Sequence, residues 1–192
     1  MEDLIQVQDQ FYILATASRM NERTAVLQHD DTFAVFDPAG DIGAFGSGEQ
    51  GLYHEGTRYL SRFNLRLHGR RPLLLSARVK EDNELFCADL TNPDIPLEGD
   101  RLILRDAVHI FRSRFLWKAT WHERIRLWNY GQVPIHLSLT FDIDADFADI
   151  FEVRGTPRER RGVLAPPSFA GRTMRFGYRG LDEEERWTEV EW

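Results

Sequence analysis

WKATWHERIRL at residues 117–127 and IHLSLTFDI at residues 135–143 decide how this chain folds. In the first stretch Trp117, Ala119, Trp121, Ile125 and Leu127 are apolar, with Glu123 the exception on that face. Lys118, Thr120, His122, Arg124 and Arg126 between them are polar. In the second, Ile135, Leu137, Leu139, Phe141 and Ile143 alternate with His136, Ser138, Thr140 and Asp142. Alternation with a period of two belongs to a strand with one buried face, because successive side chains point to opposite sides. The turn cluster NYGQVP, with Gly131 and Pro134, separates the two runs, and the pair predicts a β-hairpin.

The same pattern extends outward. Tyr59 to Leu67, the turn HGRRP and Leu73 to Val79 predict a second hairpin, with Phe63, Leu65 and Leu67 on one face. Further strands are expected over Thr32–Asp37, Glu84–Leu90, Arg101–Phe111 and Thr173–Arg179. Helical periodicity does not persist beyond about ten residues anywhere. Strand after strand without intervening helices points to an all-β fold, an antiparallel β-sandwich. The 192 residues suffice for one such domain spanning 1–192, and 42% apolar content favours a packed core over a disordered chain. ERWTEVEW still alternates as the sequence reaches Trp192, so the chain is expected to be a piece of a longer polypeptide.

Composition narrows the function classes. With 31 acidic against 24 basic residues the formal charge is −7, which argues against a general nucleic-acid binder. One cysteine, Cys87, cannot form an internal disulfide and fits a reducing compartment. The first residues, MEDLIQVQDQ, lack the basic start and apolar core of a signal peptide. No apolar run approaches the roughly 18 residues of a membrane helix. A cytoplasmic protein without a membrane partner is the expectation.

Motifs that resemble chemistry are few. GSGEQG, with Gly46, Gly48 and Gly51, matches a dinucleotide-binding pattern, but LYHEGTRYLSRF after it alternates as a strand. The phosphate site needs a helix there, so a loop between strands is expected. DIDADF opens like a calcium loop, yet Phe147 stands where the sharp turn needs Gly and Val153 where a bidentate Glu is needed. The six histidines show no zinc spacing, and Cys87 lies in an expected strand without a base nearby. No metal, cofactor or catalytic set is therefore expected. Asp142, Asp144, Asp146, Asp149 and Glu152 crowd one segment, where two opposed carboxyls could in principle serve a glycosidase. The bland reading is a short turn over DFADIFE, with Phe147, Ile150 and Phe151 inward and the acids solvated or paired with arginines. Arg154, Arg158, Arg160 and Arg161 follow at once. Trp117 and Trp121 read as core, whereas Trp187 and Trp192 are free to stack on a sugar or a neighbouring domain.

GLYHEGTRYLSRFNLRLHGRRPLLLSA, DLTNPD, the NYGQVP segment leading into DADFADIFEVRG, and finally RGV together resemble one family. It is the N-terminal domain of bacterial glycogen-debranching-type enzymes, the amylo-α-1,6-glucosidases, and the likeness runs from about Phe33 to Trp192. The resemblance implies a large supersandwich that precedes an α/α-toroid, which carries the catalytic carboxylates. It implies a non-catalytic support for that C-terminal domain of the same polypeptide, and α-glucan as a possible ligand. Glu55, Thr57, Arg58, Asp146, Asp149, Glu152 and Arg154 are the candidate glycan or domain-interface contacts. HEGTRYLS departs from the family in carrying Glu55-Gly56 where an Asp more often precedes Thr-Arg. A free-standing carbohydrate-binding or scaffold module that uses aromatic residues is the alternative.

Overall fold

The computed structural model describes the backbone of residues 4–7 and 10–13, and residues 24–43, 48–80, 82–99 and 101–192 in full. β1 (Leu4–Val7) and β2 (Gln10–Ile13) form a small antiparallel pair. β3 (Ala25–His29), β4 (Thr32–Phe36), β5 (Gly51–His54) and β6 (Thr57–Leu60) then build a four-stranded antiparallel sheet in sequence order. β7 (Arg62–Leu67) joins that layer through a bridge between Ile42 and Phe63. β8 (Leu73–Val79) and β9 (Leu85–Thr91) belong to the opposite layer, and β10 (Ile95–Pro96) and β11 (Leu102–Ile103) close a short loop. β12 (Val108–Trp117) and β13 (Thr120–Asn129) complete a second four-stranded sheet, ordered β13-β12-β9-β8. β14 (Leu139–Asp144) returns to pair with β7. The short helix α1 (Ile150–Val153) leads to β15 (Val163–Ala170), β16 (Thr173–Arg179) and β17 (Glu185–Glu191), a three-stranded antiparallel sheet.

The two layers face each other across one core. Leu27, Ala34, Phe36, Leu65 and Leu67 come from the first, and Phe86, Ala88, Leu90, Ile110 and Leu116 from the second, all buried. Each large apolar side chain so buried contributes about 1.5–3 kcal/mol. The chain is an all-β sandwich, as the alternation predicts. A second, smaller cluster of Ala145, Phe147, Phe176 and Tyr178 fastens the three-stranded sheet to the end of β14.

Strand pairing departs from the sequence reading. The hairpin expected between 117–127 and 135–143 does not form: β13 pairs with β12, and β14 pairs with β7 on the other layer. The reversal sits at Lys118-Ala119, where φ is +47° and +55°. Positive φ at both central residues is the geometry of a two-residue type I′ turn. The second expected hairpin also fails. After a tight turn at His68-Gly69 only Leu67 and Arg70 bridge, and β8 then crosses to pair with β9. Trp117 consequently lies on β12 rather than beside Trp121, and it is 53% exposed, not core. Its ring meets His29 edge-on at 4.6 Å, while Trp121 packs on the core. Phe151, expected inward, is 64% exposed.

The core also contains charge. Arg112 and Arg114 on the inward face of β12 are buried, and Glu123 on β13 serves both. Arg112 Nε donates to Glu123 Oε1 at 2.8 Å, and Arg114 Nη2 donates to Oε2 at 2.6 Å. Arg112 Nη1 also donates to Asp41 at 2.7 Å and to the Ala39 carbonyl at 2.9 Å. Arg114 donates to the Gly40 carbonyl at 2.7 Å and lies 3.8 Å from the Trp121 ring centroid. Asp41 in turn accepts the Leu65 N–H at 3.1 Å, so the charges tie the two layers together. Gly40, at φ +85°, is needed here: a Cβ would stand 3.0 Å from Phe86 and 3.2 Å from Arg114.

Candidate functional site: the cleft over the β5–β6 turn

HEGTR and DADFADIFE, far apart in sequence, meet at one place. Glu55 and Gly56, at φ +47° and +77°, make the two-residue turn between β5 and β6. Gly at the second position suits this turn, and Glu at the first tolerates a left-handed backbone that favours Asn or Asp. The segment after β14 docks on this hairpin as an added edge. Arg58 N–H donates to the Ala148 carbonyl, and Ile150 N–H to the Gly56 carbonyl, both at 2.8 Å. Thr57 and Asp149 bridge between them.

An ion pair locks the junction. Arg58 Nε donates to Asp146 Oδ1 at 3.0 Å and Nη2 to Oδ2 at 2.5 Å, the two-pronged fit of guanidinium and carboxylate. Arg58 also donates to the carbonyls of Gly48 and Gln50. Burial pulls its pKa down, but the Asp146 carboxylate outweighs that and the net shift is upward. The guanidinium reaches Asp146 by crossing Gly51, where a Cβ would lie 2.5 Å from Arg58 Cδ. That is the structural reason for the last glycine of GSGEQG. The segment following it is strand β5, not a helix, which removes the dinucleotide reading. Gly46 lies outside the described residues.

Asp149 caps α1, its Oδ1 accepting the Phe151 N–H at 2.8 Å. Glu152 pairs with Arg158 at 3.5 Å and with Arg161. Above the junction opens a cleft of about 300 Å³. Thr57, Phe147 and Asp149 line one side, Arg158 borders it, and Tyr178, Leu181, Asp182 and Arg186 form the other. The Tyr178 and Phe147 rings stack at 5.4 Å, and the Tyr178 hydroxyl accepts the Gly162 N–H at 2.8 Å. Arg186 Nη2 donates to Asp182 Oδ2 at 2.7 Å. That hydrogen bond, above all, holds the Asp182 carboxyl down to about 2. Asp182 is thus an acceptor at neutral pH and cannot serve as a proton donor.

Of the residues singled out from sequence, Thr57 and Asp149 line the cleft, and Arg58 and Asp146 brace it from below. Glu152 acts through Arg158. Glu55, at the exposed turn tip, and Arg154, which ends α1 with an exposed side chain, do not line it. Sequence reasoning missed Tyr178, Leu181, Asp182 and Arg186 as site residues. The four-residue spacing of Asp182 and Arg186 around β17's start was the available signal. Among the described residues no group of three or more His, Cys, Asp or Glu could hold a metal ion.

A family model for the N-terminal domain of some glycogen debranching enzymes matches residues 27–192. The chain belongs to this family. The match begins in β3 and takes in both four-stranded sheets, the Arg58–Asp146 junction and the whole cleft. No curated protein and no solved structure matches the chain. For this N-terminal debranching-enzyme domain, two of the sequence segments that carry the resemblance, HEGTR and DADFADIFE, build the junction.

Proposed function

We propose that this domain is the non-catalytic N-terminal sandwich of a glycogen-debranching-type α-glucosidase. It supports a C-terminal catalytic domain of the same polypeptide and adds α-glucan contacts beside that domain's site. The observation that carries this reading is the cleft, whose floor is braced by Arg58 and Asp146 and whose wall holds an ionised Asp182. A braced polar cleft whose carboxylates are held by Arg186 and by the α1 cap suits hydrogen-bonding the hydroxyls of a glycan. The purified chain is expected to release no glucose from glycogen or maltooligosaccharides, assayed over hours at micromolar protein. Clear turnover, lost on replacing Asp149 or Asp182, would make the sandwich itself the hydrolase.

A free-standing carbohydrate-binding module is the second reading. It is favoured by Trp187, which is 53% exposed in mid-strand and faces Gly177 across β16, with Ala165 beyond. Arg175 stands 5.8 Å from the centroid of the indole, and the small cross-strand neighbours leave the rest of it exposed as a stacking surface. On that reading, glycogen retards the chain in affinity gels and Trp187→Ala abolishes the retardation.

A further inference from the structure

The cleft's size and charge specify its ligand more narrowly. Its volume of about 300 Å³ is at the bottom of the roughly 300–1,000 Å³ range of small-molecule sites. That is room for one sugar ring rather than a run of them. Its guanidiniums are already matched: Arg186 is bound to Asp182, and Arg158 is paired with Glu152. An anion would meet no uncompensated guanidinium there, and a cation no uncompensated pair of carboxylates. A neutral, hydroxyl-rich ring can use both kinds of group at once, donating to carboxylates and accepting from guanidiniums. Asp149 uses one oxygen for the Phe151 N–H, which leaves the other for such a hydroxyl, next to Thr57. Leu181, which is 53% exposed, supplies apolar surface for the C–H face of a ring, and the buried, mutually stacked Phe147 and Tyr178 make the firm wall behind it.

We infer that the cleft binds a single glucosyl unit at the end of an α-glucan chain, and not the interior of a chain. The inference rests on the α-glucan reading above and narrows it to a chain end. The test is calorimetric titration of the chain with maltotriose and with cycloheptaamylose, a cyclic α-glucan that has no chain end. Maltotriose is expected to bind saturably and the cyclic glucan at least tenfold more weakly. Asp149→Asn keeps a helix-capping side chain and is expected to weaken maltotriose at least tenfold with an unchanged melting temperature. Should that variant fold poorly, Arg186→Lys and Thr57→Val report on the same cleft from other elements. Trp187→Ala is expected to leave maltotriose binding unchanged.

Equal binding of the cyclic glucan overturns the chain-end assignment and leaves the α-glucan reading standing. Loss of maltotriose binding in Trp187→Ala but not in the cleft variants moves the site to β17 and overturns the inference. Absence of binding to either sugar also overturns it, while the non-catalytic reading is judged separately by the turnover assay.

Discussion

At position 123 a carboxylate occupies a place that the alternation of its strand reserves for an apolar side chain. Beneath it lie Arg112 and Arg114, both buried, and Glu123 is the counter-charge they share. Burial pushes the Glu123 carboxyl up, but Arg114 and Arg112 outweigh it and hold the group down to about 2. A folded pKa below the unfolded one means stability that is present above the unfolded value and lost as pH falls toward the folded one. The loss therefore falls between about 4.5 and about 2. Urea unfolding across that range should show stability declining with pH, and Glu123→Gln should flatten the decline. At neutral pH, Glu123→Ala leaves two guanidiniums in the core without their shared partner, at an expected cost of about 3–5 kcal/mol. A cost below about 1 kcal/mol, the worth of an exposed pair, would mean that water reaches these charges. The alternation marked Glu123 as irregular, but its reason, two arginines on a neighbouring strand, is a matter of register that one strand's sequence does not carry.

At the scale of elements, many strands were legible and their partners were not: β3 and β15 were not expected, and Arg101–Phe111, expected as one strand, is β11 and the start of β12. Thr173–Arg179 is read from alternation with the same bounds as β16, and Thr32–Asp37 differs from β4 by one residue. Pairing failed where turn chemistry misled. NYGQVP has the glycine and proline of a reversal, yet the tight turn is Lys118-Ala119, which has neither. A non-glycine residue held at positive φ costs roughly 1–2 kcal/mol, and here the long ladder of β12 with β13 enforces it. The double substitution Lys118→Asn with Ala119→Gly installs the dipeptide that such a turn favours and should raise stability by about 1 kcal/mol. Differential scanning calorimetry would register this as a rise of a few degrees in melting temperature. No gain, with the β12–β13 ladder intact, would mean that the native turn carries no strain.

For the whole molecule, the small aromatic cluster is the fastening that matters for the cleft. Phe147 is 2% exposed, stacks on Tyr178 and receives the edge of Tyr59 at 5.5 Å. Phe147→Ala should cost about 3–5 kcal/mol. Because Phe147 joins the junction to the three-stranded sheet, the loss should show locally. Amide hydrogen exchange in β15, β16 and β17 is expected to quicken before that in β9 and β12. Uniform quickening would mean the two clusters unfold as one.

By itself the sequence determined the fold class, since period-two alternation states which residues share a face of a strand whatever strand lies beside them. Two of its candidate segments also proved to be one place, HEGTR and DADFADIFE, because both carry the polar residues that join them. Only the tertiary structure decided which strands pair, that Trp117 faces outward, and that Asp182 and Arg186 complete the cleft. Alternation fixes a side chain's face but not its neighbour across the sheet, and a cleft between elements far apart in the chain exists only once loop closure and packing have brought them together.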